Sequence, residues 1–261
     1  MSAPDRHETL RSEVDPPPFE VLEPRTKSPW VLVCDHGGRA IPSVLGRLGV
    51  AESELERHIA WDIGAAAVTR MLAARLDAWA IIGGYSRLVI DLNRPPESPQ
   101  SILARSEATD VPGNVGVTAA QAEARRREIF DPYHRRITAE LDRRRDAGLP
   151  TLLVAVHSFT PVFLGAGRAW HAGVLYNREP RLARLLLELL RAEGDLIVGD
   201  NEPYAVSDET DYTVVTHGER RGVIHVELEM RQDLIAEPVG QAAWADRLAR
   251  LLEQARGLLP A

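Results

Sequence analysis

The alternation of short apolar runs with amphipathic stretches is the feature of this sequence that most constrains its fold. Short apolar runs between turn residues predict strands that are buried on both faces. The predicted strands are Trp30–Cys34, Trp79–Ile82, Arg87–Leu92, Thr151–Val156, Gly173–Tyr176, Leu196–Gly199 and Gly222–Met230. The amphipathic stretches predict helices at Ser53–Asp77, Thr118–Ala147, Arg181–Glu193 and Pro238–Leu259. Strands that alternate with helices predict an α/β fold in which helices cover both faces of a central sheet.

The connections between the strands indicate their directions. Three of the six connections between the predicted strands contain a predicted helix, which favours parallel neighbours. The link between Trp79–Ile82 and Arg87–Leu92 is short and contains Gly83 and Gly84, which favours an antiparallel pair. We therefore expect a mixed, mostly parallel central sheet.

The length of 261 residues suffices for one large hydrophobic core. We expect a single α/β domain, which carries the active site, over residues 29–261. Residues 1–28 are polar and contain Pro16, Pro17, Pro18 and Pro24, so we expect an extended N-terminal arm there.

Charge and cysteine content exclude several classes of function. The net charge is -7 at pH 7, and an acidic surface repels phosphate backbones, so we expect no nucleic-acid partner. With one cysteine, Cys34, the chain forms no intramolecular disulfide. No apolar run approaches the roughly 20 residues that span a bilayer, and residues 1–17 lack the apolar stretch of a signal peptide. We therefore expect no membrane partner and a cytoplasmic location, and the oligomeric state stays open.

Polar side chains interrupt three of the apolar strands at their ends. His36 follows the first strand, His157 follows the fourth, and Glu227 and Glu229 end the last. The carboxyl ends of strands in an α/β sheet are where ligands bind, so these residues are expected to converge there. Two neutral imidazoles and a carboxylate form a common catalytic zinc site. A lone histidine at a strand end is more often a hydrogen-bonded structural residue, but two at equivalent ends favour a zinc site.

The third ligand has two candidates. His58 and Asp62 are four residues apart on a predicted helix, so both side chains lie on one face. We choose Asp62, because a carboxylate partly neutralises the zinc charge. The alternatives are that Asp62 is a surface or capping residue and that His58 orients a ligand from the second sphere.

The segment at 86–95, SRLVIDLNRP, places two arginines around an apolar run. Arginine binds carboxylates through two parallel hydrogen bonds. Beside a metal, Asn93 and Arg94 are expected to hold a substrate carboxylate, while Arg87 faces the reacting carbonyl. The alternative is that both arginines are exposed and paired with nearby acids.

Six segments of the chain resemble, in the same order, those of the N-formylglutamate amidohydrolase family. They are DHGG at 35–38, HIAWDIG at 58–64, SRLVIDLNRP at 86–95, HSFTP at 157–161, DNEPY at 200–204 and EMRQDL at 229–234. The resemblance runs from about Pro29 to Ile235, and several matches in one order are far more specific than one alone. It implies a zinc-carboxypeptidase-like (phosphorylase/hydrolase-like) fold with a zinc site and a glutamate general base, similar to that of aspartoacylase. The DLNR run at 91–94 is similar to an aspartoacylase segment that grips the substrate carboxylate.

One ligand position departs from the wider zinc peptidase group. That group takes its first two ligands from a His-x-x-Glu segment, whereas Arg39 stands at the corresponding position after His36. A guanidinium does not ligate a cation, so the second ligand must come from elsewhere. This is a further reason to choose Asp62.

The resemblance and the residues together imply hydrolysis of a linear amide bond by zinc-activated water. The expected zinc ligands are His36, Asp62 and His157. Glu229 is the expected general base. Glu227 is its rival, because it has the same strand parity and both side chains point to one face. The resemblance to a Glu-x-Arg segment of the carboxypeptidases favours Glu229.

The expected substrate is a small N-acyl amino acid such as N-formylglutamate. Arg87 is expected to stabilise the oxyanion of the tetrahedral intermediate together with zinc. Asn93 and Arg94 are expected to anchor the substrate carboxylate, and Tyr204, in a loop rich in turn residues, to close over it. Two alternatives stay open: a zinc peptidase or cell-wall peptide amidase, and a non-catalytic carboxylate-binding relative.

Overall fold

A computed structural model describes residues 9–260. Its strands are β1 (Phe19–Leu22), β2 (Trp30–Cys34), β3 (Trp79–Gly83), β4 (Arg105–Ser106), β5 (Thr109–Asp110), β6 (Leu152–Phe159), β7 (Val162–Phe163), β8 (Ala166–Gly167), β9 (Ala172–Leu175), β10 (Val198–Asp200) and β11 (Ile224–Arg231). Its α-helices are α1 (Glu52–Leu55), α2 (Ala65–Leu76), α3 (Ala119–Arg125), α4 (Asp131–Asp146), α5 (Arg181–Ala192) and α6 (Pro238–Leu258). Two π-helical segments lie at Arg126–Phe130 and Val214–Gly218, and 3-10 turns lie at Ser43–Leu45, Pro112–Asn114, Glu219–Arg221 and Gln232–Leu234.

Seven strands form the central sheet in the order β1-β3-β2-β6-β11-β9-β10. The four strands β3, β2, β6 and β11 are parallel to one another, and β9 and β10 are parallel to each other. The pairs β1–β3 and β11–β9 are antiparallel. The predicted mixed, mostly parallel sheet is therefore confirmed, as are six of the seven predicted strands.

Alternate residues of the strands pack against helices on opposite faces of the sheet. Leu32 and Val154 belong to a buried cluster that also contains residues of α2, α5 and α6. Val31 and Leu153, their neighbours in sequence, belong to a second cluster with Ile137 of α4. Side chains alternate between the two faces of a strand, so a continuous apolar run makes both faces of the sheet apolar and allows helices to pack on both. The predicted α/β class with helices on both faces is confirmed.

The predicted strand Arg87–Leu92 is wrong. These residues form turns, and their apolar side chains are nevertheless buried. Side chains rather than a neighbouring strand satisfy their backbone: Asn114 donates to the carbonyl of Leu88 and Arg125 donates to that of Val89, over 2.8 and 2.9 Å. An apolar run indicates burial, but a buried turn supported by polar side chains has the same composition as a strand.

The predicted helix Ser53–Asp77 is also wrong in its middle. It is divided into α1 and α2, and the nine residues between them are not helical. Gly64 precedes α2 with a φ of +82°, and a Cβ atom there would lie 2.2 Å from the carbonyl oxygen of Ile235. His58 and Asp62 therefore do not share a helix face. Asp62 is placed instead by its backbone N–H, which donates to the carbonyl of His36 over 2.9 Å.

The segment predicted as an N-terminal arm contributes to the sheet. Phe19–Leu22 pairs with β3 along one edge of the sheet, so the fold begins before residue 29. The first eight residues of that segment lie outside the described part of the chain. Within residues 9–260, no helix is long and apolar enough to span a membrane.

Candidate active site

A cavity of about 530 Å³ lies at the carboxyl ends of β2, β6 and β11. It is lined by all eight residues that the sequence predicts for the site: His36, Asp62, Arg87, Asn93, Arg94, His157, Tyr204 and Glu229. Glu227 and His58 line it as well. Residues that are far apart in the sequence meet here because parallel strands end at the same edge of the sheet.

Three of these residues form a group that could bind a metal ion. One ligand atom each from His36, Asp62 and His157 lies within 4.8 Å of the other two, and all three residues are buried. Oδ2 of Asp62 lies 3.5 Å from Nδ1 of His36 and 2.9 Å from Nδ1 of His157. The three ligands chosen from the sequence therefore lie close enough to share one metal ion. The helix on which the choice of Asp62 was based is absent at that residue.

Asp91 fixes the orientation of His36. Nε2 of His36 lies 2.7 Å from Oδ1 of Asp91, and because an ionised carboxylate only accepts, His36 donates from Nε2. In the neutral ring this leaves a lone pair on Nδ1, which is buried and has no hydrogen-bond partner in residues 9–260. A metal-ligating histidine is commonly held in this way by a carboxylate on its other nitrogen. The arrangement fits a metal ligand.

His157 lies between two carboxylates. Its Nδ1 is 2.9 Å from Oδ2 of Asp62, and its Nε2 is 3.4 Å from Oδ2 of Asp35. Burial lowers the pKa of His157, but the nearby acids Glu227, Asp35 and Asp62 raise that pKa well above its usual value overall. A negative potential that favours a proton on this ring also favours a metal cation beside it.

The charges of this part of the site are unbalanced when both imidazoles are neutral, as metal ligation requires. Asp35, Asp62 and Asp91 are buried, and the guanidinium of Arg87 contacts only the latter two. Burial raises the pKa of Asp91, but Arg87 and His36 hold it well below its usual value overall, so this carboxyl is ionised. With both imidazoles neutral, three carboxylates and one guanidinium leave two negative charges. Because buried charge is costly unless it is paired, a divalent cation fits this donor set.

Arg87 is already engaged by the metal-site carboxylates. Its Nε and NH2 donate to Oδ2 of Asp91 over 3.1 and 2.8 Å, and its NH1 donates to Oδ1 of Asp62 over 3.3 Å. Burial lowers the pKa of Arg87, but the two carboxylates raise it overall. Most of its donors therefore hold the site together, and fewer remain for a reacting carbonyl.

Asn93 binds a neighbouring loop rather than facing the cavity with free groups. Its Oδ1 accepts from the N–H groups of Tyr212 and Thr213, over 3.0 and 2.9 Å, and its Nδ2 donates to Oδ1 of Asp211 over 3.3 Å. Arg94 donates to the carbonyl oxygens of Asn93 and Thr210. Of the two residues predicted to hold a substrate carboxylate, only Arg94 carries a positive charge, and the amide of Asn93 is occupied by the loop.

Glu227 and Glu229 project from the same face of β11. Glu229 lies beside His157 in the register of β11 with β6, whereas Glu227 lies beside Ala155. Burial raises the pKa of each carboxyl to about 8, against the lowering effect of His157. Oε2 of each is buried and has no hydrogen-bond partner in the described part of the chain. Both carboxyls can therefore exchange a proton near neutral pH.

Two short hairpins and a loop form the rim of the cavity. Glu107, in the β4–β5 hairpin, accepts from the N–H of Leu164, in the β7–β8 hairpin, over 3.1 Å. The same carboxylate lies 3.5 Å from Nε2 of His58. His58 therefore lies at the rim, and its ion-pair partner within residues 9–260 is Glu107 rather than a candidate metal ligand. Tyr204 comes from the loop after β10, is 43% exposed and accepts from Arg168 over 2.8 Å.

Sequence reasoning gave no role to Asp35, Asp91 or Arg168. Asp35 accepts from Oγ1 of Thr213 over 2.9 Å and lies behind His157, while Asp91 lies behind His36. Both belong to the segments DHGG and SRLVIDLNRP, so the presence of an acid in each segment was a usable signal. Arg168 follows a hairpin of two-residue strands, and no local pattern marks it.

The sequence model of the N-formylglutamate amidohydrolase family matches residues 28–236. Gene product Atu2144 from Agrobacterium tumefaciens is 37% identical, with a TM-score of 0.91, and the match covers 95% of this chain and 98% of that one. An N-formylglutamate amidohydrolase from Ralstonia eutropha JMP134 is 18% identical, with a TM-score of 0.72 and coverage of 93% and 99%. That second likeness shows the fold alone. The search of curated proteins gave no match.

Proposed function

Since this chain belongs to the N-formylglutamate amidohydrolase family and is a hydrolase of amide bonds, we propose that its substrate is an N-formyl amino acid such as N-formylglutamate and that its metal is zinc. The observation that carries the proposal is the convergence of His36, Asp62 and His157 in the cavity that also contains Glu229. Two imidazoles and one carboxylate, with one position left for water, are a common catalytic zinc set.

The metal and the residues around it have separate tasks. When bound, zinc acts as a Lewis acid, which polarises a carbonyl group and makes water a stronger acid. Asp91 holds His36 from behind through a hydrogen bond, and the charge of Asp35 lies 3.4 Å behind His157. Arg87 ties Asp62 to Asp91 and offers its remaining N–H groups to the oxyanion that develops on the substrate.

Glu229 is the proposed general base and acid. It lies beside His157 at the end of β11, and its buried Oε2 is free of other partners within residues 9–260. A carboxyl with a pKa of about 8 can take the proton from the attacking water and deliver it to the leaving amine. Glu227 lies two residues earlier on β11, beside Ala155 rather than beside the candidate ligand His157.

Arg94 is the proposed anchor for the α-carboxylate of the substrate. Its contacts within the cavity are mainly backbone carbonyl oxygens, and its distance to Asp211 is 3.9 Å, so its charge is only partly neutralised. Asn93 acts indirectly, because its amide holds the loop at 211–213 against this arginine. Tyr204 closes the cavity mouth. A cavity of about 530 Å³ suits a small molecule better than the peptide of a peptidase or cell-wall amidase.

Release of formate from N-formyl-L-glutamate, followed by proton NMR with purified zinc-loaded protein, tests this function. We expect turnover by the wild type, little by Glu229→Gln, and faster turnover of N-formylglutamate than of N-acetylglutamate or a muramoyl peptide. Turnover of the peptide alone would replace this function with the peptide-amidase alternative. Zinc binding without hydrolysis of any of the three would indicate the non-catalytic relative.

A further inference from the structure

Arg168 lies in a setting unlike that of the other arginines near the cavity. Its guanidinium carbon is 4.8 Å from the ring centres of Phe163 and Tyr204 and 5.8 Å from that of Phe159. Its NH1 donates to the hydroxyl of Tyr204 over 2.8 Å. Two rings from the segment just before Arg168 and a third from the distant loop at Tyr204 therefore hold this cation beside the cavity. A guanidinium stacked on rings keeps its charge and its planar set of donors.

The charge of Arg168 is not neutralised by an acid. Arg87 contacts two carboxylates, and Arg94 has a carboxylate oxygen within 3.9 Å. Within residues 9–260, no carboxylate oxygen lies within the 4.0 Å ion-pair distance of the Arg168 guanidinium. Surface arginines elsewhere in the chain, such as Arg105 with Asp110, have an acidic partner. An uncompensated cation beside a cavity is suited to an anionic group of a ligand.

The position of Arg168 relates it to the reacting centre. Its two closest rings, Phe163 and Tyr204, line the cavity. Arg168 is close enough to lower the pKa of Glu229, after the larger effects of burial, His157, Asp62 and Arg87. The guanidinium therefore lies directly behind two rings that line the cavity, and it is joined to one of them by the hydrogen bond to the Tyr204 hydroxyl.

We propose that Arg168 is a specificity-determining residue that binds the side-chain carboxylate of the substrate, with the Tyr204 hydroxyl as a second donor. This inference rests on the proposed function, in which Arg94 takes the α-carboxylate. A substrate with two carboxylates then meets one arginine at each, and a substrate with a neutral side chain leaves Arg168 unpaired. The aromatic rings around Arg168 fix its position, so less side-chain entropy is lost when the carboxylate binds.

The test compares N-formyl-L-glutamate with N-formyl-L-glutamine, which differ only in the charge of the side-chain group. The variant is Arg168→Met, and the matched control is Arg105→Met, an exposed arginine of the neighbouring hairpin. We expect the ratio of kcat/KM for the two substrates to fall about ten- to hundredfold in Arg168→Met, the effect of losing a hydrogen bond between charged groups. The control should keep the wild-type ratio. An equal loss for both substrates would reduce Arg168 to a support of the hairpin and overturn the proposal.

Two further measurements keep the result decisive. Arg168→Lys retains the charge without the paired donors and should give an intermediate ratio; if Arg168→Met fails to fold, a wild-type ratio in Arg168→Lys counts against the proposal. Calorimetric titration of zinc-loaded protein with L-glutamate and L-glutamine measures binding without turnover. If the wild type hydrolyses no N-formyl amino acid, the proposed function fails. The titration alone then decides whether Arg168 binds the side-chain carboxylate. Selective weakening of glutamate binding by at least about tenfold in Arg168→Met supports the proposal, and equal affinities in variant and wild type contradict it.

Discussion

Nε2 of His36 lies 2.7 Å from Oδ1 of Asp91, and the other oxygen of the same carboxylate accepts two hydrogen bonds from Arg87. One side chain thus orients a candidate metal ligand and fixes the arginine nearest to it. Arg87 in turn contacts Asp62, the second candidate ligand. The metal group and its surroundings therefore form one connected network, and a change behind a ligand should be felt at the metal.

Asp91→Asn tests this network. The amide keeps the shape of the carboxylate but loses its charge, so His36 is held less firmly and donates less electron density. We expect zinc affinity to fall about 10- to 100-fold, as for other partners behind metal ligands. Competition with a chromophoric chelator measures the affinity. Asp110→Asn, on the rim hairpin, is the control, and an affinity equal to wild type in Asp91→Asn would show that the contact does not serve the metal.

Glu229→Gln and Glu227→Gln distinguish the two buried carboxyls of β11. Glutamine keeps the shape and removes the proton acceptor. We expect kcat to fall at least about 100-fold in Glu229→Gln, the usual size of general acid–base effects, with zinc content unchanged. Glu227→Gln should cost far less. Steady-state rates and metal analysis on the same preparations measure both effects. A larger loss of kcat in Glu227→Gln than in Glu229→Gln would make Glu227 the base.

Arg94→Lys tests the proposed α-carboxylate anchor. Lysine keeps the charge but cannot form two parallel hydrogen bonds to one carboxylate. We expect KM for N-formyl-L-glutamate to rise about tenfold or more, with zinc content and thermal stability close to wild type. Wild-type enzyme should also react poorly with the α-amide of the substrate. Equal kcat/KM for the acid and its α-amide in the wild type would show that Arg94 does not bind the α-carboxylate.

The buried pair of His134 and His217 predicts acid sensitivity of the fold. Nε2 of His134 donates to the carbonyl of Leu92 over 2.9 Å, and its Nδ1 accepts from Nε2 of His217 over 3.0 Å, so both rings are neutral. Burial lowers the pKa of His134 to about 4 and that of His217 well below its usual value. The unfolded chain takes up these protons below about pH 6.5, whereas the folded chain does not. Stability present above pH 6.5 is therefore lost as the pH falls toward 4.

His217→Gln isolates this effect, because its amide can still donate to His134 and does not titrate. We expect the free energy of unfolding of the wild type to fall more steeply below pH 6.5 than that of the variant, by up to about 1.4 kcal/mol per pH unit for one proton. Urea unfolding at pH 7.5 and 5.0 measures the difference. The free energy of unfolding of His171→Gln, a change outside the core, should fall with pH as that of the wild type does. An equal fall with pH in the wild type and His217→Gln would contradict the prediction.

The sequence predicts the sheet and helices well because apolar periodicity reports burial directly. It fails at Arg87–Leu92, because a buried turn whose carbonyls are bound by Asn114 and Arg125 contains the same apolar residues as a buried strand. It fails again at 56–64, where Gly64 adopts a positive φ close to Ile235, a tertiary contact that no local pattern records.

The sequence predicts that His36, Asp62 and His157 lie together, and it predicts the residues around them less well. His36 and His157 stand at strand ends, and the topology of parallel strands brings such positions together. Asp62 lies beside them for a reason other than the predicted helix, because its backbone N–H donates to the carbonyl of His36. Arg168 is missed, since its contact with Tyr204 joins two segments 36 residues apart and forms only in the folded chain.

Titration of metal-free protein with zinc, with formate release from N-formyl-L-glutamate followed at each step, tests the central claim most directly. We predict that wild-type activity rises in proportion to bound zinc and reaches its limit at about one ion per chain. His157→Ala should bind little zinc over the same range and remain inactive, whereas His171→Gln should match the wild type. Full activity before zinc is added, or full zinc binding by both His157→Ala and His36→Ala, would contradict a hydrolase whose metal is held by His36, Asp62 and His157.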